Sequence, residues 1–210
     1  MYPNPAFRLD DLPRLHQHLR DHALALLISQ TDTGPLVSHL PFWLEPDEGP
    51  YGTLYGHLAR SNPQAPALVE AGQVLAVFQG PQAYVSPAFY PGKAEHGRVV
   101  PTWNYQAVHA RGRVEVFDDP ERLLPLLERL TDRHEAGRAR PWQVADAPAD
   151  FVRGMLRAIR GLRLPLDSLQ GIAKLSQNRT AADREGVRQG LAASPVPGDQ
   201  ALAALIPSPA

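Results

Sequence analysis

Residues 51–63 read YGTLYGHLARSNP, and they join an extended segment to the start of a helix. Over the first seven residues, polar or aromatic side chains alternate with small or apolar ones, which is the pattern of a strand. Asn62 followed by Pro63 is a helix-start signal, because asparagine caps free N–H groups and proline suits the first helical turn. The stretch therefore predicts a strand that runs directly into a helix.

Further extended segments lie on both sides of this stretch. Two apolar segments, 23–29 and 36–44, precede it and are separated by the turn-forming residues TDTG, so the first three strands should form an antiparallel meander. β-Branched and aromatic residues after the helix predict more strands, at 74–79, 83–86 and 99–117. The rest of the chain predicts helices from Asp119 and Pro148, a strand pair at 162–176 and a last helix at 178–191.

A strand-rich part followed by helices predicts an α+β fold. Closing the short strands into a closed or half-closed antiparallel barrel would protect their edges. The chain has 210 residues, and we expect one domain over residues 1–191. Residues 192–210 read ASPVPGDQALAALIPSPA and contain little to bury, so we expect them to form a flexible tail.

The composition excludes several classes of protein. Lys plus Arg number 21 and Asp plus Glu 22, so the net charge of -1 argues against general binding to polyanions. Because the chain has no cysteine, disulfides, thiolate metal sites and cysteine nucleophiles are excluded, and redox chemistry would need a bound cofactor. The histidines lack the spacing of metal ligands, so no metal site is expected. No signal peptide or long apolar run is present, which predicts a cytoplasmic protein.

Two polar segments lie in the first half of the chain. His39 interrupts the apolar stretch 38–42, where it is either a hydrogen-bonded structural residue or a ligand contact. In the segment 56–63, Arg60 stands beside a helix N-terminus, and free N–H groups together with a guanidinium could cradle a phosphate. The alternative is an ordinary helix cap next to a solvated arginine.

Two more polar segments follow. Trp103, Asn104 and Tyr105 could stack on or hydrogen-bond to a planar ring, although core packing explains the aromatic residues equally well. The segment 174–179 reads KLSQNR and is rich in hydrogen-bond donors, which suits an anion or a ring carbonyl. A polar turn that caps the last helix through Asn178 is the alternative.

Nine segments, in this order, resemble the PaiB-like family of FMN-binding transcriptional regulators. This family is part of the FMN-binding split-barrel superfamily, which also contains the pyridoxamine phosphate oxidases. The resemblance extends from Met1 to about Leu191, and one departure is Gln82, where the family more often has histidine. The matching segments are MYPNPAFRLDD, SHLPFWLE, GTLYGHLARSNPQ, VLAVFQGPQAYVSPAFY, VVPTWNYQAVHARG, LTDRHE, PWQVADAPADFV, MLRAIRGLRLP and KLSQNRTAADREGVRQGL.

The resemblance implies a six-stranded antiparallel split β-barrel with flanking helices, and a homodimer that holds FMN at its interface. By the same resemblance, the phosphate and ribityl ligands are His57, Ala59, Arg60 and Asn62. The implied contacts on the side of the flavin ring are Ser38, His39, Leu40 and Pro41. The next candidates, in part from the partner subunit, are Trp103, Asn104, Tyr105, Lys174, Ser176, Gln177 and Arg179.

The family name implies a transcriptional regulator, but several functions stay open. The chain could be a flavin-dependent sensor that acts through a protein partner, an FMN-dependent oxidoreductase that uses NAD(P)H, or a haem-binding relative. Residues 153–190 hold eight basic and three acidic residues, and this local charge of +5 is the best candidate for a DNA contact. No helix-turn-helix is evident, so tight DNA binding by the chain alone is not expected. No catalytic residue can be named.

Overall fold

A computed structural model describes residue 1 and residues 4–208. Within them, the strands are β1 Arg8–Leu9, β2 Leu24–Thr31, β3 Gly34–Glu45, β4 Thr53–Ala59, β5 Gln73–Val85, β6 Thr102–Arg113, β7 Glu115–Phe117, β8 Ile159–Pro165 and β9 Ser168–Lys174. The α-helices are α1 Leu12–Asp21, α2 Gln64–Glu70, α3 Gly92–His96, α4 Pro120–Glu135, α5 Ala149–Arg157, α6 Ala181–Ala192 and α7 Pro197–Ala203. The predicted α+β class is confirmed.

The nine strands of the described residues follow the sheet order β1-β9-β6-β5-β2-β3-β4-β8-β7. The expected number of six strands is therefore wrong. β1 has only two residues, which is too short for a periodic pattern to reveal it, and β7 is a separate three-residue strand within the predicted extended segment 99–117. Among the described residues, no helix combines the length and the apolar character needed to cross a membrane.

The contacts within the chain define two compact units. The central unit consists of Leu12–Phe78 and His109–Leu169, and the terminal unit of Met1–Asp11, Gln79–Val108 and Gln170–Ala210. The chain passes from one unit to the other inside β5, β6 and β9, so neither unit is a continuous stretch of sequence.

In the central unit, β2, β3 and β4 form the predicted antiparallel meander. β2 and β3 pair from Leu24 opposite Pro41 to the turn that Gly34 closes with a φ of 121°, a value that suits glycine. β3 then pairs with β4, starting with Phe42 opposite Gly56. β4 pairs in turn with β8. β4 therefore lies between two neighbouring strands, β3 and β8.

A leucine cluster fixes the helices of the central unit. The side chain of Asp119 accepts a hydrogen bond from the backbone N–H of Glu121 and so caps α4, as its sequence predicts. The apolar face of α4 then packs with Phe117 from β7 and Leu156 from α5, and the buried leucines of α4 are Leu123, Leu126 and Leu130.

In the terminal unit, the last residues are folded. Residues 192–210 were expected to be a flexible tail, but α7 lies within them, and Leu202 and Ile206 are almost fully buried. The sequence ALAALI places several apolar residues within one or two helical turns, and their burial removes apolar surface from water. The expectation of a tail with little to bury is therefore wrong for this helix. Pro209 and Ala210 lie outside the described residues.

Candidate functional site

A hydrogen bond joins two of the predicted segments inside the central unit. The side-chain amide of Asn62 donates to the hydroxyl oxygen of Ser38 over 2.9 Å, and Ser38 is almost fully buried. The amide oxygen of Asn62 accepts from the backbone N–H of Gln64 over 2.8 Å, so the predicted cap of α2 is confirmed. One asparagine therefore starts the helix and also ties it to β3.

Gln64 holds α2 in place and was not recognised from the sequence as important. Its side chain is 1% exposed. The side-chain amide donates to the carbonyl oxygens of Leu27 and Leu36 and to the hydroxyl of Ser29, over 3.0, 3.1 and 3.0 Å. The only available sequence signal was a glutamine directly after a helix-start motif. These bonds fix the position of Asn62 relative to the sheet.

His57 lies on β4, opposite Gly161 of β8. It is half-buried, and its Nδ1 has no hydrogen-bond partner among the described residues. Burial lowers the pKa of His57, because the charged imidazolium loses solvation there. A neutral imidazole with a free nitrogen is available to a ligand.

The side chain of Arg60 is bound within its own unit. The guanidinium forms an ion pair with Asp118 at 3.0 Å and donates to the carbonyl oxygen of Arg157, also at 3.0 Å. Its side chain is nevertheless 41% exposed. α2 has seven residues, and Asn62 already occupies one of its N–H groups. The predicted phosphate cradle is thus partly filled by the chain's own groups.

The other site residues predicted in this unit differ in exposure along their strands. His39 and Ala59 are exposed, and Pro41 is half-buried. Leu40 points into the core and is only 7% exposed, so a ring could contact it only through its backbone.

In the terminal unit, the structure brings the later predicted residues together around a buried pair. The amide of Asn104 donates to the hydroxyl of Ser176 over 2.9 Å, and both side chains are buried. The amide oxygen of Asn104 has no partner among the described residues. Ser176 has a φ of 62°, a left-handed conformation that is uncommon for residues other than glycine. The turn after β9 therefore orients Ser176 towards Asn104.

A cleft of about 320 Å³ adjoins this pair. Its lining consists of Asn4, Phe7, Thr102, Asn104, Tyr105, Ile172, Lys174, Ser176, Asn178 and Arg179. The ammonium of Lys174 donates to the hydroxyl of Thr102. Burial lowers the pKa of Lys174, and the nearby charge of Arg179 lowers it further. The guanidinium of Arg179 lies 5.0 Å from the centre of the Tyr90 ring.

Two predicted residues stand apart from this cleft. Trp103 is 54% exposed and meets the ring of Tyr84 edge-on, with the ring centres 6.1 Å apart. Gln177 accepts from the backbone N–H of Leu175 and donates to the carbonyl of Ala173, so its side chain stabilises the turn. Neither residue lines the cleft.

A second polar cluster in the central unit was not found from the sequence. The Nε of Arg163 donates to the carboxylate of Glu48 and to the hydroxyl of Tyr55. The Nη1 of the same guanidinium forms an ion pair with Glu115. Burial raises the pKa of Glu48, but hydrogen bonds from Tyr55 and Arg163 outweigh this effect and hold the pKa below its usual value. The cluster lines a cleft of about 300 Å³ beside Trp43. Arg122 also pairs with Glu115, so two arginines meet two carboxylates in this cluster.

The sequence of the chain is that of a flavin-binding protein. Residues 1–168 match the family described as "Putative FMN-binding domain", and the chain belongs to this family. The cofactor predicted from the sequence, FMN, is confirmed by this membership.

Individual relatives extend this result over the whole chain. A protein from Aspergillus fumigatus that is described as uncharacterized is 35% identical, and the alignment covers 90% of both chains. The protease synthase and sporulation protein PAI 2 from Bacillus subtilis is 28% identical over 98% of this chain and 96% of its own length. The resemblance to PaiB-like proteins is confirmed.

A solved structure supports the fold. The FAD and heme binding protein from Mycobacterium smegmatis superimposes with a TM-score of 0.59, covering 80% of this chain and 73% of that chain. The sequence identity is 20%, so this likeness concerns the fold alone.

Proposed function

We propose that this chain is a flavin-dependent sensor and regulator, in which the state of bound FMN changes the interaction with a partner. The PAI 2 protein of Bacillus subtilis, whose name links it to protease synthesis and sporulation, supports a regulatory role, because it aligns over nearly the whole chain. Bound FMN would supply one-electron or two-electron redox chemistry, which a chain without cysteine cannot supply by itself.

The observation that carries the proposal is the hydrogen bond between Asn62 and Ser38. It joins the segment expected to hold the phosphate to the segment expected beside the ring, and both belong to the central unit. The free Nδ1 of His57 adds a ligand group on the neighbouring strand. A hydroxyl, an amide, an imidazole and the exposed guanidinium of Arg60 fit the polar groups of FMN.

An oxidoreductase that uses NAD(P)H is the second candidate. His57 favours it, because burial lowers the pKa of this imidazole and keeps it neutral at pH 7, with one nitrogen unpartnered. The unpartnered nitrogen can hydrogen-bond to a bound substrate.

The absorbance spectrum of the purified protein tests both candidates. We expect a flavin spectrum and, after removal of the cofactor, tighter binding of FMN than of riboflavin or FAD in calorimetry. Tighter binding of riboflavin would contradict a phosphate subsite. Rapid anaerobic bleaching by NADH or NADPH would favour the oxidoreductase over the sensor.

We also propose a homodimer with FMN at its interface. Leu24 and Val37 are 64% and 48% exposed, and they lie on the outer face of β2 and β3. Leu26 and Ile28 continue this face as half-buried residues. A contiguous exposed apolar face supports association, and a two-fold dimer is the commonest way to cover one.

Light scattering measures the molecular mass in solution and so tests the proposed homodimer directly. The FMN-loaded protein should have twice the chain mass of 23.0 kDa, and a monomer mass would contradict the proposal. Phe42 and Phe78 are 1% and 0% exposed within the single chain, so neither offers surface to a partner. The aliphatic face of the sheet is the better candidate.

Specific duplex DNA is not the partner that we propose. Three of the eight basic residues in 153–190 already form ion pairs, Arg160 with Asp118, Arg163 with Glu48 and Arg188 with Glu185. Paired arginines release fewer counterions when they meet phosphates. Selection from a random duplex pool at about 150 mM salt, with oxidised and reduced FMN, should recover no reproducible site, since specific complexes bind at about 10⁻⁸ M or tighter. One recovered motif would make DNA the partner.

A further inference from the structure

Two cations that line one cleft of the terminal unit have no carboxylate partner among the described residues. Lys174 and Arg179 line the same cleft, and neither forms an ion pair with any Asp or Glu in the described part of the chain. Arg60 and Arg163 of the central unit differ from them, because they are bound to Asp118 and Glu48. Two like charges in one cleft repel each other unless an anion lies between them.

The wall of the cleft is built from buried polar groups. Asn104 has no exposed surface, yet its amide oxygen has no hydrogen-bond partner among the described residues. An unsatisfied buried acceptor destabilises the folded state. The left-handed backbone of Ser176 is also unfavourable. Costs of this kind concentrate at sites where a ligand completes the hydrogen bonding.

We propose that this cleft binds a small oxyanion, a phosphate ester or a carboxylate, that belongs to a ligand other than FMN. Lys174 and Arg179 supply the positive charge, and the lining contains no Asp or Glu. The free oxygen of Asn104 would accept the proton of a hydrogen phosphate or of a ligand hydroxyl. The volume of about 320 Å³ suits a small molecule.

Two observations indicate that the ligand of this cleft is a molecule other than FMN. The residues of the turn, 174–179, lie beyond residues 1–168, which match the FMN-binding family. FMN also carries a single phosphate, and the segment expected to hold it contains Arg60, in the central unit. The oxyanion site therefore goes beyond the proposed function, and its assignment to a ligand other than FMN rests on the proposed placement of the FMN phosphate at Arg60.

Phosphate-dependent thermal unfolding of the FMN-loaded protein tests the site. Inorganic phosphate should raise the unfolding temperature more than chloride does at equal ionic strength, because it binds only the folded state. Arg179→Gln and Lys174→Gln should each weaken phosphate binding by about tenfold or more, the range for a hydrogen bond to a charged group. Lys174→Arg keeps the positive charge, so this variant should retain most of the phosphate-dependent rise in the unfolding temperature.

Arg188→Gln is the matched control, because it removes a charge that is paired with Glu185 on α6 of the same unit. It should leave the phosphate response unchanged. The proposal is overturned if the two cleft variants respond to phosphate like the wild type, or if the wild type shows no response.

Flavin affinities measured on the same variants separate the two ligands. The affinities for FMN and riboflavin should both stay within about twofold of the wild type. If Arg179→Gln weakens FMN but not riboflavin, the cleft holds the phosphate of FMN, and the proposal of a separate ligand is wrong. Absence of any flavin binding, with the phosphate response intact, would contradict only the proposed function.

Discussion

Replacing Gly112 by alanine is expected to lower the free energy of unfolding by about 3 kcal/mol or more. Gly112 lies on β6 within the central unit, and a Cβ atom there would overlap the carbonyl oxygen of Pro165. The contact is with backbone, not with a flexible side chain, so β8 would have to move. β8 is paired with β4, and the displacement would disturb the strand that carries His57. Urea unfolding of the purified variant measures the loss.

Gly154→Ala provides the control. Gly154 lies in α5, and an added Cβ would meet no atom within 4 Å. Alanine is the better helix former, so this variant should be more stable than the wild type by about 0.5 to 1 kcal/mol. Equal stability of the two alanine variants would show that the close approach at Gly112 does not constrain the fold.

Arg60→Ala is expected to weaken FMN binding by about 1.5 to 3 kcal/mol, the range for a hydrogen bond to a charged group. Arg60 is the exposed cation of the segment expected to hold the phosphate, but in the structure Asp118 binds its guanidinium. Asp118 therefore competes with the phosphate. Asp118→Asn should change FMN affinity in the opposite direction and tighten binding by up to about 1 kcal/mol, since the pair is partly exposed.

Calorimetry with FMN and riboflavin on stripped protein measures both effects. Riboflavin has no phosphate, so its affinity should not change in either variant. Arg129→Ala is the matched control, because Arg129 forms an exposed pair with Glu45 in the same unit. If Arg60→Ala lowered the affinities for FMN and riboflavin equally, Arg60 would act on the fold and not on the phosphate.

Local signals predicted a large part of the fold and of the candidate site. Asn62 caps α2 and Asp119 caps α4 as expected, because a cap depends on residues only two or three positions apart. The meander of β2, β3 and β4 followed from short polar turns between apolar segments. β1 and α7 were missed, because β1 pairs with β9 from a distant part of the chain and α7 lies in a proline-rich segment that was expected to be a tail.

The partners of the polar side chains could not be predicted in this way. Asn62 bonds to Ser38, 24 residues away, Arg60 to Asp118, 58 away, and Lys174 to Thr102, 72 away. Such pairs depend on which strands become neighbours and in which register, and a shift of one residue would turn every side chain to the other face.

The sequence by itself determined the α+β class, the family and its cofactor, because local propensities and an ordered set of motifs are properties of the linear chain. Only the tertiary structure decided that Arg60 is held by Asp118, while Lys174 and Arg179 share a cleft without a carboxylate. The physical reason is that the folded neighbours of a charged side chain decide whether it has an ion-pair partner. Those neighbours lie on strands from distant parts of the chain.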